Sequence, residues 1–339
     1  MVITFVLSGS GISGGVRVTV DMANLLIARG HRVRIAIRRH RRQLRDMLDF
    51  GLAWRRDWIH RFTGKVERYS NLEKLTFDEK EIVVAVGSWT VSDVYDLPND
   101  IIKLRYCHGL PTDQPNAIDK YWRLSMPTIV VSEELTVQIE NLTGEPPLDV
   151  VPNGIDPKEY YVQSGDRLGV GGIYIPGQIK AGEVLFEVFR RLQLLRPEVP
   201  LVAFGPGPKP RALPTLSYTR LPSVDESRRI YNACKVWILT SRREGLPAPI
   251  LEAMSCGAAV VTTAFPTVGY LVDHGCNGLV APIDDVDALT EAVSQLLGDD
   301  VLRKNLIDNA SKTVTEFSWE RSCDKFEKVL NRVYDQNGK

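Results

Sequence analysis

Residues 241–257 read SRREGLPAPILEAMSCG and lie between two short apolar runs, 235–239 and 258–261. Apolar runs of this length are typical of buried strands, so the region predicts a strand, a loop, a helix and a second strand. Pro249 suits the first helical position, where its missing N–H costs nothing, and Gly257 suits the left-handed residue after the helix. Glu252 is then predicted in the first turn of the helix and Glu244 in the preceding loop.

The amino end of this predicted helix is suited to an anion such as a phosphate, because its first N–H groups are unpaired and its dipole is positive there. Two carboxylates would repel a phosphate. Glu244 and Glu252 are therefore better explained as acceptors for hydroxyl groups on either side of it, a sugar on one side and a ribose on the other. Taken singly, each could be structural, since Glu252 would complement the helix dipole and Glu244 would be a solvated loop residue.

The two glutamates have the spacing E-x7-E within EGLPAPILEAMSCG. This segment resembles the donor-binding segment of the family 4 (group 1) retaining glycosyltransferases, which have the GT-B fold. The resemblance implies that Glu244 contacts the transferred sugar, that Glu252 contacts the nucleotide ribose, and that Gly245 and Leu246 belong to the same donor site. Many members have Gly where this chain has Pro247, which has no N–H to donate.

Composition limits the class of protein. The chain has 339 residues, a length that fits two domains. Its residues are 44% hydrophobic and 25% charged. Lys plus Arg equal Asp plus Glu at 42 each, so the net charge indicates neither nucleic acid nor an acidic partner. Five scattered cysteines without ligand spacing predict reduced thiols and no metal site. With no basic leader and no apolar run of about 20 residues, the sequence predicts a cytoplasmic protein without a spanning helix.

The first part of the chain alternates apolar runs with a helical stretch, as in a doubly wound domain with a parallel sheet. Gly9, Gly11 and Gly14 satisfy G-x-G-x-x-G, which also fits dinucleotide binding by an oxidoreductase. That fingerprint expects an acid at the end of the second strand, where this chain has Arg38 and Arg39. Because arginines suit the additional phosphate of NADP, an NADP-dependent oxidoreductase stays open as an alternative.

Two further features of this part resemble the glycosyltransferases. The pair Gly14-Gly15 is similar to the glycine pair whose backbone faces the donor phosphate in GT-B enzymes. His108 follows the predicted strand 101–106 and so belongs to a strand end, where parallel sheets bind ligands. It resembles the family's histidine that contacts the transferred sugar, although a lone histidine is more often structural.

Residues 38–68 are densely basic, with ten Lys and Arg residues. Trp54, Trp58 and Phe62 recur every four residues, which predicts one face of a helix. A basic helix with an aromatic stripe is typical of attachment to a membrane surface, and packing of the aromatics on the domain core explains the pattern equally well. The first interpretation predicts contact with anionic lipid, or with a lipid-linked acceptor, on the inner face of the membrane.

The pentad 152–156, PNGID, resembles the hinge between the two GT-B domains. It predicts an acceptor-side domain over 1–154 and a donor-binding domain over 155–317. A last helix over 318–337 would cross back onto the first domain, as in GT-B proteins.

Lys180, before the first helix of the donor-binding domain, fits the family's cation for the donor diphosphate. The Arg that the family places after the first strand is missing, because Gly172 is followed by Ile173. Arg242 or Arg243 is the candidate substitute.

The sequence therefore predicts an α/β protein of GT-B fold, with two Rossmann-like domains facing across a cleft. The resemblance implies transfer of a hexosyl or deoxyhexosyl unit, with retention of configuration, from a nucleotide sugar to a glycan or lipid-linked acceptor. It assigns catalysis to His108, Lys180 and Glu244, with no cofactor and no metal. A sugar-nucleotide epimerase and a non-catalytic GT-B binding subunit also stay open. The missing Arg supports the binding subunit, and the intact pair of Glu244 and Glu252 argues against it.

Overall fold

The computed structural model describes residues 1–10, 13–39, 58–110, 121–211 and 213–337. The chain forms two compact units, one of Met1–Gly154 with Trp319–Lys339 and one of Ile155–Ser318. Ser318, which the sequence assigns to the last helix, belongs to the second unit, and that helix begins at Trp319.

The first unit contains a seven-stranded parallel sheet in the order β3-β2-β1-β4-β5-β6-β7. Its strands are β1 (Val2–Leu7), β2 (Arg32–Arg38), β3 (Lys65–Tyr69), β4 (Ile82–Val86), β5 (Ile102–Cys107), β6 (Thr128–Val130) and β7 (Asp149–Val150). The helices between them are α1 (Gly14–Ala28), α2 (Ser88–Tyr95) and α3 (Glu133–Thr143). The strand order reverses between β1 and β4, and such a switch point is where open α/β sheets bind ligands.

The second unit contains a six-stranded parallel sheet in the order β10-β9-β8-β11-β12-β13. Its strands are β8 (Gly169–Ile173), β9 (Leu201–Gly205), β10 (Ser217–Arg220), β11 (Cys234–Leu239), β12 (Ala259–Thr263) and β13 (Leu279–Ala281). The helices are α4 (Gly182–Leu195), α5 (Val224–Ala233), α6 (Ala248–Ser255), α7 (Val286–Gly298) and α8 (Asp300–Thr315). Here the switch point lies between β8 and β11.

The last helix, α9 (Trp319–Gln336), belongs to the first unit. Phe326 is fully buried, with its ring 5.9 Å from that of Phe5 in β1 and 5.2 Å from that of Tyr106 in β5. Glu327 binds Arg29 at 2.9 Å and His31 at 2.7 Å, so the ends of α1 and β2 also hold the helix. The apolar face of α9 thus completes the core of the first unit.

The predicted basic helix is wrong for the part of 38–68 that the structure describes. Trp58–Arg61 is a single 3-10 turn, and Lys65–Tyr69 is the edge strand β3, paired in parallel with β2. Pairing with β2 overrides the helical spacing of the aromatics, and Phe62 packs in the core at 8% exposure. Residues 40–57, which include Trp54 and most of the arginines, lie outside the described residues, as does Gly11.

Candidate functional site

Lys180 and Glu244 form an ion pair at the switch point of the second unit. Lys180 lies in the loop between β8 and α4, and Glu244 lies in the loop between β11 and α6. Lys180 Nζ is 2.5 Å from Glu244 Oε1, and the Ser241 hydroxyl donates a 2.6 Å hydrogen bond to the same oxygen. The Glu244 side chain is 9% exposed, while that of Lys180 is 33% exposed. Lys180 therefore keeps an accessible positive charge at the point where a ligand would bind.

The loop that contains Glu244 is fixed by two threonine side chains. Thr267 Oγ1 donates to the Glu244 carbonyl oxygen at 3.0 Å, and Thr263 Oγ1 donates to the carbonyl oxygen of Ser241. The backbone on both sides of the acidic side chain is thereby held. Sequence reasoning missed Ser241 and both threonines, because hydroxyl residues of this kind have no distinctive spacing.

Arg242 connects three parts of the second unit. Its Nε donates to both carboxylate oxygens of Asp284, at 2.8 and 2.9 Å, and its Nη1 lies 3.0 Å from Glu183 Oε1. Its backbone N–H donates to the Ile179 carbonyl, one residue before Lys180. The hydrogen bond to Asp284 raises the pKa of Arg242. Because two carboxylates already balance its charge, Arg242 is better suited to holding the Lys180 loop than to replacing the missing diphosphate arginine.

Glu252 lies in α6, but not where the sequence predicts. The helix begins at Ala248 with Pro247 as its N-cap, so Pro249 is the second helical residue and Glu252 is the fifth, just beyond the first turn. Glu252 is 5% exposed, and its Oε2 accepts a 2.6 Å hydrogen bond from the hydroxyl of Tyr231 in α5. Burial raises the pKa of Tyr231 well above its usual value, so the hydroxyl stays a donor to this acid.

The amino end of α6 offers fewer N–H groups than an average helix. Pro247 and Pro249 have none, and the Ile250 N–H is bonded to the Pro247 carbonyl at 3.1 Å. Of residues 247–250, only Ala248 can present a backbone N–H to an anion. Lys180 is consequently the main source of positive charge among these groups.

In the first unit, the glycine pair and His108 are brought together. Gly14 and Gly15 are the first two residues of α1, which Ser13 caps by accepting from the Val16 N–H at 3.3 Å. A Cβ atom on Gly15 would lie 3.9 Å from the Cδ2 atom of His108, which follows β5. A side chain at position 15 would therefore begin in van der Waals contact with the imidazole.

Both ring nitrogens of His108 are buried, and neither has a hydrogen-bond partner among the described residues. The ring packs on Tyr106, with 4.2 Å between the ring centroids. Burial lowers the pKa of His108 to about 4, so the imidazole is neutral at pH 7. A buried polar group normally has a partner, so this imidazole is suited to a hydrogen bond from a ligand hydroxyl.

The site residues predicted from the sequence thus fall into two sets. One belongs to the second unit and contains Lys180, Arg242, Arg243, Glu244, Gly245, Leu246 and Glu252. The other belongs to the first unit and contains Gly14, Gly15 and His108. Within the described residues, no group of three His, Cys, Asp or Glu side chains could hold a metal ion. No helix in the described ranges is both long and apolar enough to cross a bilayer.

Arg38 does not fit the NADP alternative. Its Nη1 donates to the Trp89 carbonyl at 3.4 Å and lies 3.7 Å from Asp93 Oδ2. A 2′-phosphate would have to compete with this carboxylate. The contacts of Arg38 at the end of β2 therefore do not favour an NADP-dependent oxidoreductase.

Two units, each with an open parallel sheet whose order reverses at a switch point, define the GT-B class of fold. This class is found in a structure of S. aureus TarM with UDP and alpha-GlcNAc-glycerol, which superposes with a TM-score of 0.78 at 10% identity, covering 98% of this chain and 100% of that one. Anabaena HepE in complex with UDP and glucose superposes with a TM-score of 0.75 at 15% identity, covering 98% of this chain and 99% of that one. The predicted fold class is confirmed.

Residues 167–299 match the family model described as "Glycosyl transferases group 1". The N,N'-diacetylbacillosaminyl-diphospho-undecaprenol alpha-1,3-N-acetylgalactosaminyltransferase of Campylobacter jejuni is 31% identical over 100 residues, which are 30% of this chain and 27% of that protein. The match spans about a third or less of the length of curated relatives such as this one. The family match and the fold together support a GT-B glycosyltransferase.

Proposed function

We propose that this chain is a retaining glycosyltransferase of the family 4 type, which moves a hexosyl or deoxyhexosyl unit from a nucleotide sugar to a glycan or lipid-linked acceptor. The observation that carries the proposal is the ion pair of Lys180 with Glu244. It lies at the switch point of the unit that matches the group 1 family.

The predicted site residues of the second unit have proposed roles in donor binding. Glu244 would orient the hydroxyl groups of the transferred sugar, with Gly245 and Leu246 beside it. Glu252, held by Tyr231, would accept hydrogen bonds from the ribose hydroxyls. Lys180 would neutralise the diphosphate, together with the Ala248 N–H. Arg243 stays the candidate for the second diphosphate cation.

The proposed reaction exchanges one bond at the anomeric carbon. The bond from that carbon to the diphosphate oxygen breaks, and the acceptor hydroxyl oxygen bonds to the same face. The acceptor proton passes to the leaving diphosphate. Lys180 stabilises the charge that develops on the leaving group, and this kind of stabilisation is a large term in catalysis. Neutral His108 accepts or donates one hydrogen bond to the sugar, and we propose that no metal and no other cofactor takes part.

Similar proteins suggest the substrates to test first. TarM and HepE are described with UDP, and the C. jejuni protein is named as acting on a sugar-diphospho-undecaprenol. We therefore propose a uridine diphosphate sugar as the first donor and a polyprenyl-diphosphate-linked glycan as the first acceptor to try. The free cysteines support a reducing, cytoplasmic location.

The test is a thermal-shift and calorimetric screen with UDP, GDP, ADP, CMP and dTDP sugars on the full chain, and with NADPH as the competing ligand. We expect one nucleotide sugar to stabilise the protein, and its slow hydrolysis to release the sugar with the anomeric configuration of the donor. Binding of NADPH alone would overturn the proposal in favour of an oxidoreductase. Donor binding without any transfer or hydrolysis would indicate a non-catalytic relative. A product of inverted anomeric configuration would contradict the proposed retention of configuration.

The proposed membrane contact through 38–68 has its own test. Tighter binding to anionic liposomes than to neutral ones, weakened by salt, is the expected result. Equal binding to both would contradict it.

A further inference from the structure

Trp89 is a large aromatic side chain left exposed at the carboxyl edge of the first sheet. It is 47% exposed and lies in the first turn of α2, directly after β4. In the sheet, β4 lies between β1, which leads to Gly15, and β5, which leads to His108. The carboxyl ends of adjacent parallel strands meet at one edge, so Trp89 belongs to the edge that contains the unpartnered imidazole.

Charged groups border the indole. Asp93 is one helical turn after Trp89, so both project from the same side of α2. Arg38, at the carboxyl end of β2, bonds to the Trp89 carbonyl at 3.4 Å and approaches Asp93 Oδ2 at 3.7 Å. The Tyr69 hydroxyl donates to the same carboxylate oxygen at 2.8 Å. The exposed ring therefore has a carboxylate and a guanidinium nearby, both suited to bind hydroxyl groups.

The indole and the start of its helix are also held in place. The Trp89 ring meets the buried Tyr121 ring edge to face, with 5.6 Å between centroids. Trp122 Nε1 donates a 2.9 Å hydrogen bond to Ser88 Oγ, and the buried Arg105 guanidinium stacks on the Trp122 ring at 4.9 Å. A fixed aromatic face loses little conformational entropy when a ligand stacks on it.

We propose that Trp89, Arg38 and Asp93 form an acceptor subsite that binds a pyranose ring, with its C–H face on the indole and its hydroxyl groups on the two charged residues. This inference rests on the proposed function and adds to it the chemical class of the acceptor group. The acceptor is then a glycan whose terminal sugar contacts the protein.

The polar border argues for a sugar instead of a prenyl chain. A prenyl chain would take water away from Arg38 and Asp93 and offer neither of them a hydrogen bond in its place, which costs free energy. A pyranose offers an apolar face to the ring and hydroxyl groups to both charges. Aromatic side chains with polar groups beside them are a suitable surface for such an amphipathic ligand.

The experiment uses saturation-transfer difference NMR on the full chain, with the methyl glycosides of glucose, galactose, mannose, N-acetylglucosamine and rhamnose as probes. Farnesyl phosphate is the probe for the lipid alternative. The variants are Trp89→Ala, Trp89→Leu and Trp89→Phe. Tyr95→Ala is the matched control, because Tyr95 is a 40% exposed aromatic at the other end of the same helix.

We expect at least one glycoside to bind the wild type, with saturation of its ring C–H protons, and to bind Trp89→Phe and Tyr95→Ala about as well. Binding to Trp89→Ala and Trp89→Leu should be on the order of tenfold weaker, because both lack an aromatic face. The proposal is overturned if no glycoside binds the wild type, if Trp89→Leu binds like the wild type, or if only farnesyl phosphate binds. Nucleotide-sugar binding by the wild type is measured separately, so a failed subsite and a failed glycosyltransferase assignment give different results.

Discussion

Lys180 Nζ and Glu244 Oε1 are 2.5 Å apart, although 64 residues separate them in the chain. The pair joins the first loop of the second sheet to the loop before α6, on the two sides of the switch point. In the proposed function, Lys180 binds the diphosphate and Glu244 binds the sugar hydroxyls, and without a ligand the two groups form an ion pair. A nucleotide sugar would satisfy both groups at the same time, which explains how the pair can serve stability and binding together.

Lys180→Ala should impair turnover more than it impairs folding. Without Lys180 the charge on the leaving diphosphate is less stabilised, so kcat/KM should fall. The expected rise in activation free energy is about 2–4 kcal/mol. Because Glu244 keeps the Ser241 hydrogen bond at 2.6 Å, the melting temperature should fall only slightly. Kinetics with the identified donor and thermal unfolding measure the two effects.

The control for this substitution is a double-mutant cycle with Glu244→Gln. A coupling free energy of about 0.5–3 kcal/mol is expected for groups in direct contact. Unchanged turnover in Lys180→Ala would remove Lys180 from the site, and additive effects on both readouts would show that the ion pair has no role.

Arg242 and Asp284 should act on donor binding through the Lys180 loop. Asp284→Asn removes one charge partner of Arg242 without removing a cation, and Asn tolerates the left-handed backbone of this residue, φ 64°. We expect Asp284→Asn to weaken nucleotide-sugar affinity several-fold by calorimetry, on the order of 1 kcal/mol. Arg242→Lys, which keeps the charge but loses the planar fork, should weaken it similarly. If Arg242 instead bound the diphosphate directly, Asp284→Asn would leave the affinity unchanged or increase it.

Tyr231→Phe should weaken nucleotide binding even though Tyr231 is fully buried. The substitution leaves the buried carboxylate of Glu252 without its 2.6 Å hydrogen bond, at an expected cost of about 1–3 kcal/mol. Part of this cost should appear in stability and part in donor affinity, since ribose hydroxyls would bind a less ordered acid. Glu252→Ala should weaken donor binding further while the fold stays intact.

Tyr160→Phe is the matched control, because the Tyr160 ring lies 6.0 Å from that of Tyr231 and its hydroxyl is 3.3 Å from Ser227 Oγ. Equal donor affinity in wild type, Tyr231→Phe and Glu252→Ala would refute the ribose assignment.

Much of the fold follows from the sequence, because buried parallel strands are continuous apolar runs. The runs 2–7 and 81–86 correspond to β1, Val2–Leu7, and β4, Ile82–Val86. The sequence does not predict β3 or β10, which read KVERY and SYTR. Both are edge strands whose side chains, apart from that of Tyr69, are exposed or half-buried, so pairing with the neighbouring strand, and not their own composition, makes them strands.

The candidate site is less predictable, because motifs give residue types and not their partners. Sequence reasoning selects Lys180, Glu244 and Glu252, but it cannot pair Arg242 with Asp284, which is 42 residues away. It also misplaces Glu252 by one residue. Pro249 is predicted as the first helical residue, but the helix begins one residue earlier, at Ala248. Long-range side-chain contacts of this kind become visible only once the loops are folded.

His108 should make the protein less stable in mild acid. Its pKa is about 4 in the folded protein, because of burial, and about 6.5 in an unfolded chain, so the unfolded state binds more protons between these values. The stability associated with neutral His108 is therefore fully present above pH 6.5 and is lost as the pH falls toward 4. At pH 4.5 the loss amounts to about 2–3 kcal/mol.

Urea unfolding of wild type and His108→Gln at pH 7 and pH 4.5 measures this contribution. Glutamine cannot titrate in this range, so the variant should lack His108's share of the acid destabilisation while other groups titrate as before. Between pH 6 and 8, His108 should contribute no pH dependence to the donor affinity of the wild type, because the imidazole stays neutral. An identical fall in stability for both proteins would contradict the buried, neutral state of the imidazole, and with it the proposed hydrogen bond to the sugar.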